Sequence, residues 1–577
     1  MFEGGLDGFM NEVNNTVDNV KGVFMGADDL ETAKKILEQG PLMKLKNKNG
    51  DNLQLDWLNK SKEIIMIRRG VTSDEVVGFR LSKVDMPDSE VDGSGDFMFV
   101  DFIGCNNDLQ KFTIFSTKFY KGWFGSIDET SRVQVVNTYT FEEQDSENKS
   151  MRLRNVMMLL FNAYLKGLGA SDLNKDDEHG TLSNTPKKQE YSWQKKVYVI
   201  ISPKSGKGLA QQYYNEIEPA LLANGFLPKT FVTERENHAL EKIRDMPAEE
   251  LQDYTQILCC GGDGIVNEVI NGFYKRAEPG FTEAHLHLRV GLLPGGSACA
   301  AMTLSCKRHG LGQSNVNAMW VLTRQQYRNV QIMRVEIENT PGAKTDNTEV
   351  QNVLPKTPSE FRYGFLTIAC GLTAGNCAKS FSYRWAGESR YKMGGLIGIL
   401  GSCFGNPKTR MRIYTSNEQL SNNMPKLSEP ITEKTQGNWK LWPEEEYLDI
   451  IGVTYPYFCS DFNVTHRIKW EAANTNKNDP DNVKYPHFDA NLGGSRILTG
   501  GDSIIAKNPK VFEYFDSVSK SEVYKFAGVE MQEWQAIRVE ITDPLAIKDG
   551  KFMIDGDIYD GLKAQWCMDT DCVRQTA

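Results

Sequence analysis

Apolar residues recur every three or four positions through the first 25 residues, at Phe2, Leu6, Phe9, Val13, Val17, Val20 and Phe24. That period predicts an amphipathic helix within an N-terminal helical segment, 1–40. Its polar face carries Glu3, Asp7, Glu12 and Asp18 against Lys21. An anionic membrane repels such a face, so the helix is expected to dock on this protein or on a protein partner. From residue 41 the period shortens to that of strands. "LMKLKN", "EIIMIRR", "VVGFRLSKV", "DFMFVDFIG", "KFTIFST" and "RVQVVNTYTF" follow one another, separated by turn signals such as Asn49-Gly50 and "DGSGD".

The helical pattern "SMRLRNVMMLLFNAYLKGLG" closes this series. Antiparallel strands closed by one helix predict a small pleckstrin-homology-like β-barrel over 41–168. The polar stretch "ASDLNKDDEHGTLSNTPKKQEYS" has no period and reads as a linker, 169–193. "KKVYVIISPKSGKG" then begins strand–helix alternation, which continues to about residue 335. The remainder, 336–577, is mostly β-type, with a polar stretch at 415–440 that reads as an inserted loop.

The chain has 577 residues, 40% apolar and 25% charged, within the range of a globular protein of several domains. A net charge of −10 argues against nucleic-acid binding through bulk charge. No apolar run approaches the length of a membrane span, and "MFEGGLDGFMNEVNN" lacks the basic start and long apolar stretch of a signal peptide. The protein is therefore expected to be cytoplasmic. The eleven cysteines include no CxxC pair, which predicts reduced thiols and no zinc site.

The chemistry concentrates after strands. "YTQILCC" reads as a buried strand, "GGDG" as a tight turn, and "NEVINGFY" as a helix. Asp263 thus sits where strand gives way to helix, the end at which α/β sheets collect ligands. "ISPKSGKG" and "LLPGGSACAA" are two further glycine turns after strands. The first is no Walker A loop, because the GxxxxGK[ST] spacing is absent. Backbone N–H groups in such turns cradle phosphate. An alcohol that attacks a phosphoryl group must lose its proton, and a carboxylate within reach can take it.

Strand-"SPKSGKG", "TERENHA", "GGDGIVNEVING", "LPGGS" and a late "DGD" occur in that order. The series resembles the catalytic domain of the diacylglycerol kinase superfamily. "TERENHA" and "SYRWAGESRYKMGGL" are most similar to its sphingosine and ceramide kinase branch. The resemblance implies a lipid kinase fold: an α/β nucleotide-binding domain, 194–335, and a β-sandwich lipid-binding domain, 336–577. It implies ATP-dependent phosphorylation of a lipid hydroxyl, with Mg²⁺, at an intracellular membrane contacted peripherally. Asp263 would be the general base. Ser202, Ser205, Gly206, Thr233, Gly261, Gly262, Gly264, Glu268, Gly296, Ser297, Arg384, Arg390, Gly556 and Asp557 would line the nucleotide. Asp555 and Asp557 would help hold the metal, and Gly375, Asn376 and Cys377 would meet the substrate. His238, by contrast, reads as a packing residue at a helix start.

The chain departs from the family at several of these positions. Ser202 stands where the first motif has asparagine. Ala298 and Cys299 replace a flexible glycine and an amide or acid in the third. Gly375 and Cys377 stand where sphingosine kinases carry aspartates, so the pocket favours a neutral head group, as in ceramide or diacylglycerol, over a protonated amine. The same departures support a competing reading, a kinase-derived scaffold or interaction module with reduced catalysis.

Overall fold

The computed structural model describes strand segments between 44 and 141, most of 195–338, 361–380, most of 409–463, and 494–499, 529–542 and 551–576. The expected N-terminal helix, the helix at 150–169, the linker, Ser297 and the segment holding Arg384 and Arg390 lie outside the described residues. The chain divides into two units. One comprises Met1–Lys118, Gln134–Trp193 and Ala220–Gly225; the other Phe119–Val133, Gln194–Pro219 and Phe226–Ala577.

Strands between Lys44 and Phe141 form one sheet whose described pairings are antiparallel, in which Lys44–Lys46 joins Asn52–Asn59 to Ile127–Phe141. Each run predicted as a strand contains one, but "EIIMIRR" contributes only Ile64–Ile65, "DFMFVDFIG" holds parts of two strands, Gly95–Met98 and Phe102–Asn107, and the strand Asn52–Asn59 was not among the predicted runs. The closing helix of the expected barrel falls on residues that are not described.

The α/β segment opens with β1 (Lys195–Ile201), followed by α1 (Ala210–Ala223) and β2 (Phe226–Val232). Two short helices, α2 (His238–Asp245) and α3 (Ala248–Gln252), lead to β3 (Gln256–Gly261). Helix α4 (Asp263–Tyr274), β4 (Arg289–Pro294), α5 (Ala300–Arg308) and α6 (Asn315–Thr323) complete it. The strands pair in parallel in the order β2-β1-β3-β4. Burial from both sides explains their composition: every residue of β3 is buried, and so is every residue of β1 except Lys196.

The rest of the second unit is built on β5 (Tyr327–Glu338), β6 (Arg362–Gly364), β7 (Thr367–Gly371) and α7 (Leu372–Ser380). Strands β8 (Thr409–Ser416), β9 (Glu445–Val453), β10 (Ala536–Ile541), β11 (Lys551–Ile554), β12 (Asp557–Asp560) and β13 (Lys563–Thr576) follow. The segments expected as separate domains share one hydrogen-bonded sheet, because β13 pairs in parallel with β4 through Arg289↔Arg574 and Val290↔Gln575. Its β-rich core gathers Met333, Val335, Ile368, Ile413, Ile537, Val539, Phe552 and Trp566.

The polar stretch near 415–440 is better anchored than its composition suggests. Leu427, Ile431 and Trp439 are buried. Arg538 on β10 has no exposed surface. Its guanidinium donates to the carbonyls of Glu429 (2.5 Å) and Lys426 (2.9 Å) and to Gln565 Oε1 (2.6 Å from Nη2). Carbonyls that would face water in a free loop are satisfied by a buried cation.

Candidate active site

The three glycine turns meet at the carboxyl ends of β1, β3 and β4. Parallel pairing brings these ends side by side, and the turns then pack backbone against backbone. Gly295 and Gly296 N–H both donate to the Gly261 carbonyl, at 2.7 and 2.9 Å. A Cβ on Gly296 would lie 2.3 Å from the Gly262 Cα. Gly206 takes a φ of +56°, and a Cβ there would meet the Gly295 carbonyl at 2.5 Å. A side chain is excluded at Gly296 by contact, and at Gly206 by contact and conformation together. Ser202 N–H donates to the Cys260 carbonyl, Ser205 Oγ approaches Ser202 Oγ at 3.2 Å, and Thr233 N–H donates to the Ile201 carbonyl. Ser202, Ser205, Gly206, Thr233, Gly261, Gly262, Gly264 and Gly296 are thereby brought into one region.

Asp263 is the first residue of α4 and is buried. Its carboxylate accepts from the Ala300 N–H (2.7 Å) and the Ala301 N–H (3.1 Å), the first turn of α5. Burial pushes its pKa up to about 6, against the two amide bonds, and the nearby charge of Asp555 adds to the rise. Cys299 precedes α5 with a left-handed φ of 45° and makes no side-chain cap; its Sγ lies 3.3 Å from the Gly261 carbonyl. Asp263 therefore supplies the anionic cap that residue 299 does not.

The late Asp-Gly-Asp faces α4 across a small cleft, open to solvent, whose walls include Glu236, Gly264, Glu268, Arg362, Asp557 and Tyr559. Its two aspartates have different surroundings. Asp555 has a φ of 50° and its carboxylate accepts four protein donors. These are Asn267 Nδ2 (2.7 Å) and Phe365 N–H (2.8 Å) on one oxygen, and Leu366 N–H (2.9 Å) and Thr367 N–H (2.8 Å) on the other. A carboxylate offers about four acceptor positions, and all are used. Asp557 is exposed on the cleft wall. Gly556 between them has a φ of +97°.

Glu268 caps α2: its Oε2 accepts from the Ala239 N–H at 3.1 Å. Burial raises its pKa to about 7, opposed by backbone bonds from Asn237, Ala239 and Leu240 and reinforced by Asp557. His238 accepts from the Glu234 N–H and lies edge-on to Phe231, a packing role. On α7, Cys377 is buried with Ala369, Ala374, Ile451 and Met553, and its Sγ reaches the Gly556 carbonyl at 3.5 Å. Asn376 lies on the same helix. Among the described residues no atom beyond its own helix lies within 4 Å of where a Cβ on Gly375 would stand. Among the described residues no three His, Cys, Asp or Glu side chains gather as a metal cage.

Sequence reasoning missed Arg362, Asn267 and Asn271. Arg362 brings a cation to the cleft, 5.8 Å from the Tyr559 ring centre. The asparagines were visible in "NEVING", one helical turn apart, but their partners lie far away in the chain.

Residues 196–335 match the family model described as the diacylglycerol kinase catalytic domain. That segment of the chain is similar to this domain. Human sphingosine kinase 1 is 25% identical over 283 residues, covering 46% of this chain and 67% of the human protein. Sphingoid long chain base kinase 5 of Saccharomyces cerevisiae is 28% identical over 211 residues, 36% of this chain and 26% of the yeast protein. Ceramide kinase 1 of Caenorhabditis elegans is 32% identical over 115 residues, 18% and 21% of the two chains. The chain thus spans between about a fifth and two thirds of the length of these three relatives. A crystal structure of a diacylglycerol kinase from Bacillus anthracis overlaps 66% of this chain and 96% of its own at 12% identity, with a TM-score of 0.36. The relatives' names are those of lipid kinases, and the turn order that suggested the family is the order in which this region is folded.

Proposed function

We propose that the protein is an ATP-dependent lipid kinase that phosphorylates a hydroxyl of a sphingolipid or of diacylglycerol. The observation that carries this reading is the convergence of three glycine turns beside Asp263, at the start of a helix whose Gly264, Asn267 and Glu268 share an open cleft with Asp557. The nucleotide phosphates lie against the glycine turns, where glycine lets a backbone approach closely; the Ala300 and Ala301 N–H groups of α5 are engaged by Asp263. Asp263 takes the proton of the substrate hydroxyl; with a pKa near 6 it is ionised at neutral pH yet more basic than an ordinary aspartate. Arg362 lies on the cleft wall where phosphate charge must be met, and Arg384 and Arg390 add to it under the family resemblance.

The residues fit Mg²⁺ in the way this ion is usually held, by one or two carboxylates together with substrate phosphates. Asp557, with Glu236 on the same wall, would hold it, and it would neutralise charge on the phosphates. Asp555, with its acceptor positions filled, organises the turn instead. Gly375 and Cys377 leave α7 without a carboxylate at these two positions, which favours ceramide or diacylglycerol over free sphingosine. Membrane contact is reversible and peripheral: no helix among the described residues is long and apolar enough to cross a membrane, yet the substrate must leave a bilayer.

The engagement of Asp263 by α5 favours one second reading, a catalytically reduced chain that serves as a scaffold. ATP consumption on vesicles presenting ceramide, diacylglycerol or sphingosine, with Asp263→Asn as control, separates the two. Phosphorylation of at least one lipid, lost in the variant, is expected of the kinase. No transfer to any lipid, with vesicle or protein binding retained, is expected of the scaffold. In flotation, the protein should follow vesicles and be released by carbonate; retention through carbonate contradicts peripheral contact.

A further inference from the structure

Helix α4 does more than begin with Asp263. One turn in, Asn267 Nδ2 donates to Asp555 Oδ2 at 2.7 Å and to the Tyr363 carbonyl at 2.9 Å. Asn271 Nδ2 reaches the same carbonyl at 2.8 Å and Asn267 Oδ1 at 2.9 Å, while Asn271 Oδ1 accepts from the Tyr363 N–H at 3.1 Å. Asn271 thus holds both main-chain groups of Tyr363, as a neighbouring strand would. The Tyr363 ring stacks on Tyr274 at the far end of α4, with centroids 3.8 Å apart and planes at 11°. Beyond β6, the N–H groups of Phe365, Leu366 and Thr367 close on Asp555. An unbroken set of hydrogen bonds therefore runs from the helix that starts with Asp263 to the turn that ends with Asp557.

We propose that Asn267 and Asn271 are positioning residues for phosphoryl transfer: they fix the turn carrying Asp557 relative to Asp263. The inference rests on the kinase reading given above. An amide side chain donates and accepts at once, which this network requires. Aspartate at 267 would set one carboxylate against another, and an apolar residue would leave Asp555 short of a donor. Both asparagines are buried, so water does not replace a missing bond cheaply. Reacting groups misplaced by about 1 Å lose about 100-fold in rate, whereas nucleotide held on the glycine turns keeps its contacts.

The test uses the full chain, as wild type and as Asn267→Asp, Asn267→Ala and Asn271→Ala, with Ile243→Val as a packing control in α2. Three quantities are measured: kcat and KM for ATP on ceramide or diacylglycerol vesicles, affinity for a fluorescent ATP analogue, and amide hydrogen exchange at residues 365–367. In Asn267→Asp, kcat should fall by about 10- to 100-fold, with analogue affinity and KM for ATP within about threefold and faster exchange at 365–367. Asn267→Ala should fall in the same direction. A kcat loss no greater than that of the packing control at equal thermal stability overturns the proposal. So does a rise in KM with kcat unchanged. If the wild type phosphorylates no lipid, the kinase reading fails, and exchange then judges the network alone: unchanged protection at 365–367 in Asn267→Asp overturns it.

Discussion

Asp263→Asn tests the chemistry of a carboxylate and the cost of burying it in one experiment. In the wild type the carboxylate accepts two amide hydrogen bonds, and burial still raises its pKa from 3.8 to about 6. At about 1.4 kcal/mol per pKa unit that rise corresponds to about 3 kcal/mol. The folded chain binds this proton more tightly than the unfolded chain. Stability therefore falls as pH rises from 3.8 through about 6, and the full penalty is present above that window. Asparagine escapes the penalty because it carries no charge. It can accept from only one of the two N–H groups, and leaving the other unmet costs about 1–3 kcal/mol. The two effects nearly offset at pH 7.5, where the variant should match the wild type within about 1–2 kcal/mol. At pH 4.5 most of the wild-type penalty is gone, and the variant should be the less stable protein. Turnover behaves differently: it should drop by at least ~100-fold at pH 7.5, the scale of a lost general base, while nucleotide affinity survives. Wild-type turnover should itself decline as pH falls through about 6, where Asp263 takes up its proton. Urea denaturation at both pH values and ATP consumption on lipid vesicles supply the numbers. Near-wild-type turnover in the variant removes Asp263 from the mechanism, and an equal stability difference at the two pH values refutes the burial argument.

Gly375→Asp should raise kcat/KM for sphingosine relative to ceramide by about 10-fold or more, since a hydrogen bond to a charged amine contributes about 1.5–3 kcal/mol and the position is open. An unchanged ratio defeats the head-group argument. Cys377→Asp should shift preference the same way but lose stability, by about 1–3 kcal/mol in urea, because its side chain is buried among Ala369, Ile451 and Met553. Arg538→Met should destabilise the second unit by about 3 kcal/mol or more, as a fully buried donor to several carbonyls is lost. Limited proteolysis should then cut near 424–431, and a resistant variant would show that the loop holds itself. Cys299→Asn should gain about 0.5–1 kcal/mol in denaturant melts, because asparagine tolerates the left-handed φ of 45° better than cysteine; a loss would mean that the Sγ contact with Gly261 matters more.

What was legible in the sequence was local. Each glycine turn announces itself within a few residues, because a tight turn after an apolar strand needs glycine whatever the rest of the chain does. Parallel pairing then brings separated turns together without any further signal. Partners far along the chain left no such mark. Asn267 and Asp555 are 288 positions apart, and Arg538 reaches Glu429 across 109. The stretch near 415–440 read as a polar insertion because its anchors, Leu427, Ile431 and Trp439, are isolated and follow no period. Glu268 sits beside the glycine turn in sequence and read as a nucleotide residue; its side chain is engaged by the start of α2.

The sharpest case is the pair of aspartates flanking Gly556. Both read as metal ligands, since a carboxylate in an Asp-Gly turn looks the same from the sequence whichever way it faces. The fold separates them through main-chain geometry. The left-handed backbone at Asp555 and Gly556 reverses the chain between β11 and β12 and delivers the first carboxylate to three consecutive N–H groups after β6. Those groups follow a strand whose hydrogen bonds end at Gly364, so they need an acceptor that the sheet does not provide. The second carboxylate, on the other side of the turn, is left on the cleft wall with Glu236 and Arg362. The motif therefore splits by surroundings: one acid builds the turn, and the other stands exposed on the cleft wall.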